Sequence, residues 1–298
     1  MTIFFFKNIN KGVLLMLLAS FFSACMGGFA KALSENMDTL EVVFFRNVVG
    51  VVLVLLTIIK KPLIQEGGHF FLLVFRGFIG FIALLAWFYN VSQIPLADAV
   101  TFANTSPIFT ALFAYLFLNE RIGWLGWFAI FLGFFGLVFI VKPNGLSMSY
   151  TDILGIFSGL GAGLAYTSIR ELKKYYDTRA IVLSFMLSGT IFPILFAFIP
   201  QNFQIEPLRF MFGEFIFPSA YQWFLIAGLG IFATLMQTFM TLAYGATKAG
   251  IVSSVSYMNI VFSIFIGMAL GDSFPDILSI FGIILIISGG ILIGKENK

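Results

Sequence analysis

The sequence predicts an all-α polytopic membrane protein, with ten transmembrane helices arranged as two inverted five-helix repeats and both termini cytoplasmic. Three observations predict it. The composition is that of a chain solvated by lipid: its 298 residues are 60% hydrophobic and 10% charged, with a mean hydropathy of +1.01, whereas a soluble domain is about 25% charged. Ten stretches approach the roughly 20 apolar residues that cross about 30 Å of hydrocarbon at about 1.5 Å per residue. The two halves of the chain also match one another at constant spacings.

The spans follow in order. Span 1, residues 12–31, comes after Lys7 and Lys11; the run stays apolar past Cys25 and further spans follow, so it is read as a retained helix rather than a cleaved leader. Span 2, 41–59, stops at Lys60-Lys61-Pro62, and span 3, 71–91, stops at Gln93-Ile94-Pro95. Span 4, 97–118, holds Pro107 near its midpoint, where a missing backbone donor kinks a helix and frees carbonyls to face a cavity. Span 5, 124–141, ends in Lys142-Pro143-Asn144-Gly145, a breaker cluster. Span 6, 152–172, carries Gly155, Gly159 and Gly163 on one face, bare backbone suited to close helix approach. Span 7 covers 180–199. The segment 200–221, with Pro200, Pro207, Pro218, Glu206, Arg209 and Glu214 among apolar residues, reads as a short amphipathic piece along the interface. Spans 8, 9 and 10 cover 222–243, 248–270 and 276–294.

The duplication uses two offsets. At 139, Lys31 falls on Arg170, Asp38-Thr39 on Asp177-Thr178 and Gly50 on Gly189; at 152, Ala97 falls on Ala249, Val100 on Val252, Ile108 on Ile260 and Glu120 on Asp272. The repeats therefore occupy 12–143 and 150–294. Five spans is an odd number, so the second copy enters the membrane from the opposite side, and such pairs place substrate sites at the repeat interface. With the N-terminus inside, all of the 17 Lys and Arg except Lys31, Arg46, Lys142 and Arg209 lie at cytoplasmic ends and loops, as the positive-inside rule requires.

Several motifs then resemble one family. They are Glu41-Val-Val-Phe-Phe-Arg46 opening span 2, Arg76-Gly77 with Trp87-Phe88-Tyr89 in span 3, and Pro95-Leu-Ala-Asp-Ala99 before span 4. The most specific is Thr105-Ser-Pro-Ile-Phe-Thr-Ala-Leu112 running to Leu118-Asn-Glu-Arg121. Over almost its whole length the chain resembles the drug/metabolite transporter superfamily, EamA type. The resemblance implies a ten-helix carrier of small organic solutes, with a central cavity lined largely by spans 1, 3, 4, 6, 8 and 9. The second copy departs from the pattern, with Asn259 matching Pro107 and Ser273 matching Arg121.

The candidate cavity residues follow from polarity at the midplane. Thr101, Asn104, Thr105 and Ser106 precede Pro107 in span 4; Ser253, Ser254, Ser256, Tyr257 and Asn259 form the matching belt in span 9. An uncharged hydrogen-bonding belt suits an organic solute. The competing reading is helix glue, worth about 0.6 kcal/mol per group. Trp87, Tyr166 and Gln237 are expected to add contacts, with Tyr115 and Tyr244 as further aromatic candidates. Arg46 stands six residues past Leu40, about 9 Å into span 2, where a charge faces a cavity, finds a partner or snorkels. Lys31 and Arg170 hold equivalent repeat positions, one cation near each mouth, and are expected with Arg46 to draw in an anionic or zwitterionic, amino-acid-like solute. Glu41, Asp98 and the other acidic residues lie at span ends, which disfavours a buried carboxylate relay and leaves ion coupling through Glu41 or Asp98 open.

Other function classes fare worse. One cysteine and one histidine (His69) build no disulfide and no zinc cage, so neither a metal nor a cofactor is expected. No basic stripe with interleaved aromatics points to nucleic acid. There is no H-E-x-x-H and no pair of intramembrane carboxylates for an embedded enzyme. A channel would need a filter or charged rings. The expected partners are a small-molecule solute and membrane lipids, with a homodimer left open. The reading is a secondary transporter of a small organic metabolite in a bacterial inner membrane, with an exporter as one form of it; the rival is a translocator of a lipid or lipid-linked sugar.

Overall fold

The computed structural model describes residues 11–118, 123–141, 149–199, 206–213, 215–247, 252 and 255–296, and every regular element among them is helical. The elements are α1 (Lys11–Ser34), α2 (Thr39–Lys60), α3 (Phe70–Gln93), α4 (Leu96–Ala103), α5 (Ser106–Leu118), α6 (Trp124–Val141), α7 (Tyr150–Leu172) and α8 (Thr178–Ala197). A 3-10 turn (Glu206–Met211), α9 (Ala220–Ala246), α10 (Met258–Ala269) and α11 (Ile277–Glu296) complete the chain. Among the described residues seven stretches are long and apolar enough to cross a membrane: α1, α2, α3, Asp98–Phe117 (α4 with α5), α7, α8 and α9. α6, α10 and α11 supply shorter apolar helices. Large apolar side chains face outward, including Trp124, Phe131, Phe265 and Phe217, the surface a lipid-solvated bundle presents.

Local sequence explains the helix starts. Ser149 with Asp152 and Ser219 with Gln222 form capping boxes that satisfy the first free N–H groups of α7 and α9. Asp38 and Asp177, 139 positions apart, occupy the N-cap positions of α2 and α8. Span 4 is broken rather than kinked. α4 ends at Ala103, Asn104 and Thr105 form a turn, and α5 restarts at Ser106. Pro107 thus sits in the first turn of a new helix, where its missing N–H costs nothing, and the break falls one turn earlier than the proline suggests.

The packing comes in matched pairs. α1 lies along α9 and α3 along α7; α3 also meets α8 as α2 meets α9; α5 meets α7 as α1 meets α10; α2 pairs with α8 and α6 with α11. Exchanging the first half for the second returns the same set. The match holds at single residues in the α2–α8 contact. A methyl added at Gly50 would meet Met186 Cε at 2.8 Å, and one at Gly189 would meet Asn47 Cγ at 2.5 Å; Asn47 and Met186, like the two glycines, are 139 positions apart. Small residues at such crossings let backbones approach, the main source of helix association in lipid. The α7 stripe works likewise: Gly155 faces Phe102, Gly159 faces Thr105, and Gly163 faces Phe109, whose Cβ lies 2.6 Å from where a Cβ would stand.

The described part of the segment between α8 and α9 packs against the bundle. It folds onto the start of α2, with Phe210 buried, Gly213 against Asp38, and the Ile216 N–H donating to Glu41 Oε1 at 3.2 Å.

Candidate functional site

A cavity of about 100 Å³ lies inside the bundle, room for about half a dozen waters. α1 contributes Met16, Ser20, Ser23 and Met26 to its wall; α3 contributes Arg76 and Trp87; the α4–α5 break contributes Asn104 and Ser106. Ser158 and Tyr166 come from α7, Phe185 from α8, Met236, Gln237 and Met240 from α9, and Ser256 and Asn259 from the stretch opening α10. The sequence-derived candidates Trp87, Asn104, Tyr166, Gln237, Ser256 and Asn259 are thus brought to one place. Tyr257 is buried elsewhere, its hydroxyl 4.0 Å from a Cβ built at Gly133 of α6. The side chain of Pro107 and the residues Ser253 and Ser254 lie outside the described residues.

The cavity wall is rich in donors. Arg76 is 1% exposed; its Nη2 donates to Gln237 Oε1 at 3.0 Å, while Nε and Nη1 have no partner among the described residues. Trp87 Nε1 is buried and also without a partner there. Tyr166 stacks on Tyr244, centroids 5.5 Å apart. The Asn104 Nδ2 donates to Val100 O at 2.7 Å, tying that side chain to its own helix, and Ser263 Oγ donates to Asn259 Oδ1 at 3.4 Å. Both bonds stay within a single helix and tie no neighbouring helices together, and the same two asparagines line the cavity.

Comparison with known proteins places this bundle. The EamA-like transporter family model matches twice, over residues 10–142 and 149–295. The chain belongs to the EamA-like transporter family. An EamA-type chain is a multi-pass membrane transporter and not an enzyme. The protein is 34% identical over 292 residues to an uncharacterized transporter of Helicobacter pylori (strain J99), covering 96% of this chain and 95% of that one. It is 32% identical to the pseudopaline exporter CntI of Pseudomonas aeruginosa, covering 97% of this chain and 98% of the exporter. It is 24% identical to the S-adenosylmethionine uptake transporter of Rickettsia prowazekii, covering 98% and 95%. A solved crystal structure, 14% identical and covering 96% of this chain and 97% of its own, shares the fold with a TM-score of 0.70.

Within this EamA-type bundle the charges are placed differently from their sequence reading. Arg46 neither snorkels nor lines the cavity wall. It is fully buried beside it, its guanidinium carbon 5.2 Å from the Phe185 ring centroid, and Nη1 donates to Asn47 Oδ1 at 2.8 Å. Arg76, counted in sequence with the cytoplasmic ends, is instead buried in the bundle, 4.6 Å from the same ring. Lys31 forms an ion pair with Asp272, whose other carboxylate oxygen accepts the Leu96 N–H at 3.1 Å, so its charge is already matched. Arg170 is half-buried in the last turn of α7 and does not line the cavity. Glu41 is fully buried at the start of α2, apart from the cavity lining, with Oε2 unpartnered among the described residues.

Arg76 and Phe185 are the residues that sequence reasoning missed. The signal for Arg76 was present: it stands six residues past Phe70 in α3, the same depth of about 9 Å that drew attention to Arg46. Phe185 had no such signal among 40 phenylalanines.

Proposed function

We propose that the protein is a secondary carrier that moves a small anionic or zwitterionic organic metabolite, amino-acid-like in its charged groups, across a bacterial inner membrane. One observation carries this reading: Arg76 and Trp87 line a central cavity, their donors Arg76 Nε, Arg76 Nη1 and Trp87 Nε1 are buried without a partner among the described residues, and a neutral Gln237 is the only hydrogen-bond partner of Arg76 among those residues. A buried cation and unpaired donors are costly in a membrane interior, and an acceptor-bearing solute relieves that cost. The Asn104, Ser106, Ser256 and Asn259 groups opposite would orient its uncharged polar body. Names among the relatives, a pseudopaline exporter and an S-adenosylmethionine uptake transporter, support small metabolites as cargo.

The mechanism in this proposal is alternating access. Two inverted repeats, 12–143 and 150–294, enclose the cavity, and exchange of their conformations opens it to one side and then the other. Both termini are cytoplasmic in this scheme. The matched helix contacts and the Gly50–Met186 and Gly189–Asn47 pair support it.

A thermal-shift screen of the purified protein against amino acids, nucleosides, vitamins, sugars and acidic metabolites tests the proposal, because a ligand of the folded state raises the melting temperature. Carboxylate-bearing compounds are expected to stabilise the protein saturably, with the effect lost in Arg76→Gln. Saturable stabilisation only by neutral sugars, or only by whole lipids, would overturn it.

A further inference from the structure

We infer that the transported solute carries two carboxylates, one for Arg76 at the cavity wall and one for Arg46 behind Phe185. The inference rests on the cavity being the solute site, as proposed above, and it narrows the solute class. Both guanidinium carbons lie within 5.2 Å of a single ring centroid, so two like charges are buried around one ring. The described residues do not neutralise them. Among the described residues neither arginine has a carboxylate partner, and the hydrogen-bond acceptors they use, Asn47 Oδ1 and Gln237 Oε1, are neutral.

The free N–H groups describe what is missing. On Arg46 both Nε and Nη2 are buried and have no partner among the described residues. These two lie side by side along one edge of a guanidinium and match the two oxygens of one carboxylate. Arg76 offers Nε and Nη1, on different edges, so it binds through single hydrogen bonds and shares its remaining nitrogen with Gln237. Phe185 lines the cavity and touches both cations; it is the side chain that yields for the second carboxylate to reach Arg46. A solute with one carboxylate and one ammonium would satisfy one cation and add a third positive charge beside the other.

The test uses the full chain, purified and reconstituted, with probes matched in shape: succinate against succinamate, and glutamate against glutamine, each pair differing by one carboxylate made carboxamide. Thermal shift and counterflow are expected to favour the dicarboxylate by about tenfold in half-saturating concentration, the loss of one charge-assisted contact. Arg46→Gln is expected to abolish the dicarboxylate's advantage over its amide, bringing the two half-saturating concentrations to about the same value. Arg46→Lys, which keeps the charge without the paired N–H edge, falls between. Equal response of the wild-type protein to both members of each pair would overturn the two-carboxylate inference and leave the anionic-solute reading standing; no response to any of the four would overturn both. The wild-type comparison decides even where a variant fails to fold.

Discussion

Arg76 shows how far a single residue was legible. The arithmetic of helical rise, applied to Arg46, placed a cation about 9 Å inside its span; the same arithmetic applied to Arg76 gives the same depth, and only its count among cytoplasmic charges hid it. Asn104, Tyr166, Gln237 and Asn259 were legible because a polar group in an apolar span has few reasons to be there. Phe185 was not, because contact with two cations is a tertiary property of one ring among many. Arg76→Gln is expected to weaken solute binding by about tenfold or more, the worth of a hydrogen bond to a charged group, without lowering the melting temperature of the unliganded protein, since it removes an unpaired buried charge. Ligand titrations read by thermal shift check both halves. Trp87→Phe, which keeps the ring and removes the free Nε1, is expected to weaken binding by less than Arg76→Gln in the same assay.

At the scale of elements, α7 and α8 give two predictions. Gly159 admits no Cβ without displacing Thr105, and Phe102 O lies 3.0 Å from that position, so Gly159→Ala is expected to cost about 1–3 kcal/mol by overpacking α7 against α4 and α5, seen as a lower melting temperature. Asp177 caps α8 by accepting the Arg179 N–H at 2.9 Å, and its bonds to the Arg179 side chain hold its carboxyl below the ordinary value of 3.8. Arg179 in turn donates to Lys61 O and Pro62 O just beyond α2. A depressed folded pKa means stability that is complete above the unfolded value and is lost as pH falls through the folded one. Asp177→Asn keeps a capping oxygen and removes the charge that Arg179 pairs with; it is therefore expected to melt lower at neutral pH, by about 0.2–1 kcal/mol for a part-exposed ion pair, and to lose less than the wild type as pH drops below 3.8; melting curves across pH decide it. The glycine spacing and the Asp-Thr pairs were readable as packing and capping signals. The break at Asn104 and Thr105 was misplaced by one turn, because a proline marks both a kink and a helix start, and the choice between them depends on α7 packing against the turn.

For the whole molecule, the composition made lipid solvation legible and the two offsets carry the proposed duplication, since both are properties of the entire chain. What faces what was not legible, because inter-repeat contacts depend on the crossing of helices far apart in sequence. The Lys31–Asp272 pair is the clearest case: it joins the last turn of α1 to the turn after α10 and, through the Leu96 N–H, to the start of α4. Each residue was noted in sequence, neither as the other's partner. A double-mutant cycle with Lys31→Met and Asp272→Asn is expected to show a coupling of about 0.5–3 kcal/mol, read from melting temperatures. Additive losses would mean that the pair contributes nothing to joining the repeats.

The packed segment between α8 and α9 breaks the symmetry at one end only. Ile216 and Gly213 rest on Glu41 and Asp38, and Phe210 is buried beneath, whereas the equivalent connection from α2 to α3 runs only from Lys61 to His69. In the alternating access proposed above, where the two repeats exchange conformations, these contacts would stabilise one state more than the other. A bias of about 1.4 kcal/mol leaves the disfavoured state at roughly one molecule in ten and raises the apparent dissociation constant on that face by the same factor. In that proposal a near-symmetric scaffold would gain a sidedness of affinity set by a connection outside the cavity lining.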